Sequence, residues 1–338
     1  AWKTAGYSTT HSWGNNPAFV FFDYLTNTVF GLGKDINDKL DADQKERLYE
    51  DIFNWSIWCE HLVGGNPIIT CNAIIYGAES KIEVLHKMAA LGHAKFAYFN
   101  GNPRLIFDGN SYDDAGYTPV VKKLVNQTNA SNLTYQSGSI DKLNNVINVK
   151  YANRDNFYRI EEVQYRNEAS IASLGEREIT LPDLWGCSVK QQALWHGAWV
   201  YETEASNSET VTYVAGWDHF DVLPGDLICL NDTLRVDNSV LGGRVVSIGS
   251  GTVTLDRSAS GNIAVMDTSG VVQYGTVSGT TATVSGTFQA NAVWNVYTET
   301  LAENYRVIAI EESEDGIYAV TAQKHDPDKY SRVWANTI

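Results

Sequence analysis

The 338 residues carry 40 acidic and 25 basic side chains, a formal net charge of −15, with 43% hydrophobic residues and a mean hydropathy of −0.24. These values describe a globular chain, not a disordered one, and the length accommodates two or three domains. The acidic balance and the scattered Lys and Arg exclude the basic footprint that nucleic acid or an anionic membrane requires, and no window approaches the ~18 apolar residues of a spanning helix. No nucleic-acid partner, no membrane insertion and no cofactor are expected.

Ala1-Trp2-Lys3 leads into polar residues, not an apolar signal core, and with no initiator Met the chain reads as an excised fragment. The first helix is expected at 17–30. Asn16 can cap it, Pro17 suits the first helical position, and Gly31 and Gly33 would end it in left-handed conformations. Asp41 with Gln44 forms a capping box, and Leu48, Ile52, Trp55 and Cys59 at helical spacing predict a helix to about His61. Gly64-Gly65-Asn66-Pro67 breaks it, a β run follows at Ile68–Asn72, and a third helix at 78–91 ends at Gly92. Ala94–Phe99 and Arg104–Phe107 read as a hairpin through Asn100-Gly101.

Asp108–Ser139 is polar and reads as a long connection with one helical turn. Strands follow at Val146–Tyr151 and Arg159–Tyr165, then a helix at 188–204 with Ser188 and Gln191 as a capping box, then a strand at Thr210–Ala215. From Pro224 to about 302 the chain is rich in Gly, Ser, Thr and Val, with turns about every ten residues, the spacing of a small β-barrel. Strands at 305–311 and 317–323, joined through Glu314-Asp315-Gly316, would return to the earlier sheet. The expected fold class is α+β and β-rich: an α+β domain at 1–110 with helices on a small sheet, a polar connection at 111–140, and a β domain at 141–338 with the barrel inserted.

Motifs for chemistry are weak. Cys59, His61 and Cys71 supply three candidate metal ligands without paired short spacings, whereas structural zinc wants four. The four cysteines (Cys59, Cys71, Cys187, Cys229) are too dispersed for a disulfide framework and are expected as free, mostly buried thiols. Cys187 precedes a helix whose N-terminus could activate a thiol, but His196 lies more than two turns away. Gly249-Ser250-Gly251 and Gly138-Ser139 lack the strand-to-helix context of a nucleophile elbow. Asp113 and Asp114 with Tyr117 could line a carbohydrate groove. His325-Asp326-Pro327 reads as a chain exit, because Pro327 forces Asp326 into extended geometry. No catalytic, cofactor or metal residue is assigned.

Asn15-Asn16-Pro17-Ala18, Asp23, Leu25-Thr26 and Phe30-Gly31-Leu32-Gly33 resemble the "NNPA…D.LT…YG.G" segment of the host-specificity protein J family of long-tailed phages. Tyr305-Arg306-Val307, Asp315–Gln323 and His325-Asp326-Pro327-Asp328-Lys329-Tyr330 resemble its "YRV…EDGTY.ITA.QHDP.KY". Between them, Ile69-Thr70-Cys71-Asn72-Ala73 is similar to "ITCNA", and Leu223-Pro224-Gly225-Asp226 to "VPGD". Gly242-Gly243-Arg244-Val245 with Thr254-Leu255-Asp256-Arg257 is similar to "GGRV…TLDR". The resemblance implies a non-enzymatic scaffold in the virion tail tip: a homotrimeric hub that closes the tail tube, contacts neighbouring tip and tape-measure proteins, and leads to distal host-recognition domains. It marks Asn16, Pro17, Asp23, Gly31, Gly33, Cys71, Asn72, Pro224, Gly225, Asp226, Arg244, Asp256, Arg257, His325, Asp326 and Pro327 as structural positions. Two alternatives stay open, a glycan- or receptor-binding module and a tail-associated cell-wall hydrolase.

Overall fold

The computed structural model describes residues 14–75, 79–99, 101–109, 121–138, 143–206, 208–232, 241–297 and 303–336. In chain order these form α1 (Pro17–Thr26), α2 (Gly33–Lys39), α3 (Ala42–Glu60), β1 (Leu62–Val63), β2 (Asn66–Pro67), α4 (Lys81–Leu91), β3 (Ala94–Phe99) and β4 (Asn102–Phe107). There follow β5 (Val121–Asn126), β6 (Ala130–Ser137), β7 (Val146–Asn153), β8 (Arg159–Arg166), α5 (Glu168–Leu174), β9 (Glu178–Thr180), α6 (Lys190–Ser206) and β10 (Glu209–Ala215). The chain ends with β11 (Leu227–Asn231), β12 (Gly242–Ile248), β13 (Thr252–Met266), β14 (Val272–Val284), β15 (Val293–Val296), β16 (Glu303–Glu314), β17 (Ile317–Lys324) and α7 (Lys329–Trp334). The class is α+β.

The chain divides into two compact units, and both are discontinuous. Unit 1 takes residues 1–119, 141–205 and 327–338; unit 2 takes 120–140 and 206–326. This replaces the sequential division at 110 and 141. The β7–β8 sheet and α6 were expected in the β domain, but their apolar faces share one core cluster with the N-terminal helices: Phe21, Trp55, Leu85, Ile147, Val149, Ala198 and Trp334 all lie in it. The expected connection at 111–140 contributes strands β5 and β6. Their Lys, Asn and Thr residues mask a strand pattern that only pairing reveals.

In unit 1, α1 begins as expected. Asn16 Oδ1 accepts from the Ala18 N–H at 2.9 Å, and Pro17 occupies the first helical position. The helix stops at Thr26, short of residue 30, because Asn27 folds an Asx turn, its Oδ1 accepting from Val29 N at 2.9 Å. Gly31 and Gly33 are not left-handed. They are needed for close backbone approach: a Cβ on Gly31 would lie 1.8 Å from Tyr24 O, and one on Gly33 2.0 Å from Thr26 O. Gly92 likewise lacks a left-handed φ; the Trp55 indole packs against its Cα and donates to its carbonyl at 3.0 Å. The Asp41–Gln44 capping box on α3 forms in both directions. The Ser188–Gln191 box does not, since Ser188 accepts from Asn72 and Gln191 donates to the Asn336 carbonyl. Ile68–Asn72 is not a strand; its N–H groups pair one by one with His61 O, Cys59 O, Gln192 Oε1, Asn15 O and Gly186 O. The β3–β4 hairpin pairs Phe99 with Asn102, with Gly101 at φ 78°; Asn100 lies outside the described residues.

Unit 2 holds a six-stranded mixed sheet, ordered β5-β11-β16-β17-β10-β6, in which only the β5–β11 pair is parallel. Its apolar face gathers Val125, Val211, Tyr213, Ile228, Tyr305 and Val320. A second sheet closes on itself as the small barrel at 242–296. The first part of β13 pairs with β12, its last part pairs with β15, and β12 pairs with β15. Trp294, Val245, Leu255, Ile263 and Ala282 fill the barrel. Strands β13 and β14, of 15 and 13 residues, run on through Ser-, Thr- and Gly-rich stretches past the expected turn spacing of about ten residues.

Gly31→Ala is expected to lower unfolding stability by about 2 kcal/mol or more, because the methyl group meets backbone that cannot move aside. Gly64→Ala, at a left-handed site with open space around it, should cost less. Thermal unfolding of the two variants beside the parent checks the ranking.

Candidate functional site

The positions marked by sequence bond mostly to other residues of their own unit. In unit 1, Cys71 N–H donates to the Asn15 carbonyl at 2.7 Å, and the Asn16 amide donates to Ser56 O at 3.0 Å. The first matched motif is thus tied both to the 69–73 stretch and to α3. Asn72 donates from its backbone to Gly186 O at 2.8 Å and from its side chain to Ser188 Oγ at 2.9 Å. Thr70 and Gln192 exchange a closed set of bonds, in which Gln192 Oε1 accepts from Thr70 N and Oγ1 while its amide donates to Thr70 O. Asp23 lies partly buried on α1.

The cysteine readings resolve as packing. All four cysteines are free and buried. Burial pushes the Cys71 thiol up to about 11, Cys187 up to about 12, and Cys59 well above its ordinary value, the opposite of an activated nucleophile. His61 caps the end of α3, and among the described residues no group of three or more His, Cys, Asp or Glu is placed to hold a metal ion. Asp113, Asp114 and Tyr117 lie outside the described residues.

The densest polar cluster of unit 1 was not anticipated from sequence. Lys329, fully buried on α7, places its ammonium on Asp108, just past β4. The same carboxylate accepts from Tyr330 OH at 2.6 Å and from Trp199 Nε1 at 2.9 Å. His93 stacks on Trp199 with centroids 4.0 Å apart, and its Nε2 lies 3.1 Å from His196 Nδ1. Burial, with the neighbouring His196, holds His93 well below its usual pKa; burial alone lowers His196 to about 4. Both imidazoles are therefore neutral near pH 7. Arg332 donates to Glu202 at 2.6 Å, and the Trp195 indole donates to Asn336 O at 2.7 Å. After His325-Asp326-Pro327, where the chain leaves unit 2, α7 and the residues after it act as a clasp that completes the core of unit 1. The lone available signal was Lys329-Tyr330 within the last matched motif.

In unit 2 two distant motifs meet. Gly225, at φ 99°, donates to Val307 O at 2.7 Å; Arg306 donates back to Gly225 O at 3.0 Å, and Val307 N–H reaches Asp226 O at 2.9 Å. Asp226 also closes its own turn by accepting from Leu223 N at 2.8 Å, so Pro224-Gly225-Asp226 forms a fixed corner beside Tyr305-Arg306-Val307. His325 is buried, and its N–H donates to Asn304 O at 2.8 Å; Asp326 ends unit 2 and Pro327 opens the return to unit 1.

The Gly-Gly-Arg motif opens β12 for a steric reason. A Cβ on Gly243 would lie 2.2 Å from Asp256 Oδ1, and one on Gly242 2.6 Å from Asn295 Oδ1. Asp256 accepts from Arg244 N at 3.1 Å and Trp294 Nε1 at 3.0 Å, with Arg257 at 3.3 Å. The Arg244 guanidinium spans Asn291 O at 2.9 Å and Thr128 O at 3.1 Å. Beneath them, buried Asn126, Asn231 and Asn295 stitch barrel to sheet: Asn126 donates to Asn295 Oδ1 at 2.8 Å, Asn295 to the Val125 and Cys229 carbonyls, and Asn231 to Val296 O at 2.9 Å.

Beside this seam lies an open cleft of about 410 Å³ with Lys123, Asn129, Asp218, Phe220, Asp221 and Arg244 in its wall. Its carboxylates are engaged. Asp221 pairs with Lys122 at 3.0 Å and Lys123 at 2.8 Å, while Asp218 contacts His219 and Asn129, both at 3.0 Å. Despite partial burial, these partners hold both carboxyls below the usual carboxylate range. Acids held ionised in this way are poor proton donors.

A family model described as "Putative phage tail protein" matches residues 101–248. Tip attachment protein J of Escherichia phage SECphi27 is 23% identical over 348 aligned residues, spanning 95% of this chain. The chain covers 28% of that relative's length. Among solved structures, a chain of the native gene transfer agent virion has a TM-score of 0.43 at 10% identity, over 77% of this chain and 43% of that one. The tail protein from Neisseria meningitidis MC58 has a TM-score of 0.39 at 11% identity, over 83% and 68%. The chain is similar to phage tail proteins, which supports a place in the virion tail, and it fits a J-like tail-tip protein.

Asp108→Ala is expected to destabilise the protein by about 3–5 kcal/mol, because it strands a fully buried ammonium; adding Lys329→Met should recover part of that loss. Urea unfolding of the single and double variants checks it. The histidine pair makes a second prediction. Above about pH 6.5 neither state is protonated and the pair contributes nothing to the pH dependence. As pH falls from there towards about 4, the unfolded chain binds protons that the folded chain refuses, so stability falls. Urea midpoints at pH 7.5 and 5 should show the drop, and His196→Gln should shrink it.

Proposed function

We propose that this chain is a scaffold segment of the tail-tip hub, a homotrimer that closes the end of the tail tube and joins it to host-recognition domains farther along the protein. In this role it would touch neighbouring tip proteins and the tape-measure protein. One observation carries the reading. The residues shared with the J family, among them Asn15, Cys71, Asn72, Gly225, Asp226, Val307, Gly243, Asp256 and Lys329, spend their hydrogen bonds and close contacts on other parts of the chain. Residues of a catalytic site would turn their polar groups towards a shared cavity; these fix turns and seams. A non-enzymatic role fits the thiols raised by burial and the ion-paired carboxylates of the cleft.

A second reading, a saccharide-binding module, is favoured by the polar cleft beside exposed Phe220, since an aromatic face next to amide and charged groups suits a sugar ring. Phe220→Ala should then abolish glycan binding without changing the fold.

The hub reading is tested by the solution mass of the chain over a concentration series. Light scattering is expected to give three chains per particle, and a monomer throughout the series would overturn the homotrimer. A lytic assay on cell walls is expected to show no activity above buffer.

A further inference from the structure

Two imidazoles inside unit 1 face each other in an arrangement that has no place for an added proton. His93, held at φ 54° in the turn after α4, points Nε2 at His196 Nδ1 on α6, 3.1 Å away. It lies flat on the Trp199 ring, with centroids 4.0 Å apart and planes 5° from parallel. The other ring nitrogen, His93 Nδ1, is buried and has no hydrogen-bond partner among the described residues. That pattern assigns the shared proton to His93 Nε2, because the reverse tautomer would bury an N–H on Nδ1 with no acceptor.

Either route of protonation breaks the pattern. His196 keeps partial contact with solvent. Once protonated it carries N–H on both nitrogens, becomes the donor of the pair, and forces the His93 proton onto Nδ1. A proton taken directly by His93 strands the same N–H. The charge is unwelcome as well. His93 is faced by Lys329 from α7, by Asp108 from the end of β4 and by His196 from α6. The Lys329 side chain is fully buried, with Nζ 5.7 Å from the Trp199 ring centre. Asp108 already receives Lys329, the Tyr330 hydroxyl and the Trp199 indole. Glu202 of α6 is paired with Arg332 of α7. An imidazolium here is a second cation in a pocket whose carboxylate is engaged.

We propose that the His93–His196 pair is an acid-operated latch on α7, so that a proton entering at His196 releases α7 while the rest of the unit 1 core holds. Asp108 is the point of exchange. Its N–H donates to the His93 carbonyl at 2.8 Å, so it stays beside the pair when α7 leaves. Freed of Lys329 and Tyr330, its carboxylate turns to the imidazolium. The core beneath has nothing comparable to titrate, since Phe21, Leu48, Ile52 and Leu85 of α1, α3 and α4 are apolar. Helix α7 has six residues and enters unit 1 after the chain has returned from unit 2, so it can undock without unthreading α1, α3, α4 or α6.

Hydrogen exchange on the full chain, read by peptide mass spectrometry at pH 7.5 and 5 with intrinsic rates corrected, tests the latch. A histidine returning from about 4 to its ordinary value near 6.5 on release raises the opening constant about thirtyfold over that interval. Peptides spanning 329–336 should lose about that factor of protection at pH 5 and regain it at pH 7.5, while those of α1 and α3 keep theirs. His196→Gln keeps a donor and an acceptor but does not titrate, and should cut the loss several-fold. Equal loss from α1, α3 and α7 at pH 5 is global acid unfolding and overturns the latch, as does α7 protection that ignores pH. A loss as large in His196→Gln as in the parent also overturns it. Should that variant not fold, the exchange pattern of the parent decides by itself.

Discussion

Unit 1 depends on an ammonium that has nowhere else to go. Lys329 is fully buried, and a buried charge is tolerated only when a partner of opposite charge is fixed against it. Asp108 is that partner, and it is also the acceptor for Tyr330 and Trp199. The carboxylate therefore joins three stretches far apart in sequence: the end of the β3–β4 hairpin, helix α6 and the terminal helix α7. Because α7 arrives only after all of unit 2 has been traced, unit 1 cannot complete its core until the chain returns. A discontinuous unit of this kind has high contact order, since loop-closure entropy must be offset before the clasp contributes.

The matched motifs gain a physical meaning from this geometry. Each glycine within them answers a particular crowding. Gly31 and Gly33 let α1 and the turn after it touch backbone to backbone, Gly243 admits the Asp256 carboxylate, and Gly242 admits the buried asparagines. Two of them need a left-handed φ: Gly225, for the corner that faces Val307, and Gly316, at φ 72°. Motifs that stand more than 50 residues apart meet directly, Asn15 with Cys71 and Gly225 with Val307. In unit 2 the asparagines do what apolar packing alone could not. They satisfy backbone carbonyls at the seam where barrel strands meet the six-stranded sheet, and so specify one register there.

These arrangements suit a component of a large assembly. The polar groups inside each unit are committed to holding that unit together, and what remains for partners lies on the outside. The surface includes aromatics that burial would ordinarily claim, with Trp217 and Phe220 near the cleft of unit 2 and the rings of Phe157 and Tyr158 at the β7–β8 tip in unit 1. Exposed aromatics of this size are the residues that protein–protein surfaces draw on.

Local chemistry alone determined much of this protein. The Asn16 cap with Pro17, the Asp41–Gln44 box, the β3–β4 hairpin and the β-rich stretch expected from 224 to about 302 follow from capping and turn preference, which act over a few residues. The terminal motifs identified the J-like relationship in the same direct way. Only the tertiary structure decided the rest. Gly31, Gly33 and Gly92 required to know what lies against them, because a glycine chosen for close approach looks the same in sequence as one chosen for a left-handed turn. Ser188 and Gln191 had the letters of a capping box, yet Asn72 and Asn336 took their side chains. The division into units, and the cluster of Asp108, His93, His196, Trp199 and Lys329, depended on contacts spanning 91 to 221 residues. Hydrophobic burial is non-directional, so no local pattern states which apolar faces will share a core; that choice belongs to the folded chain.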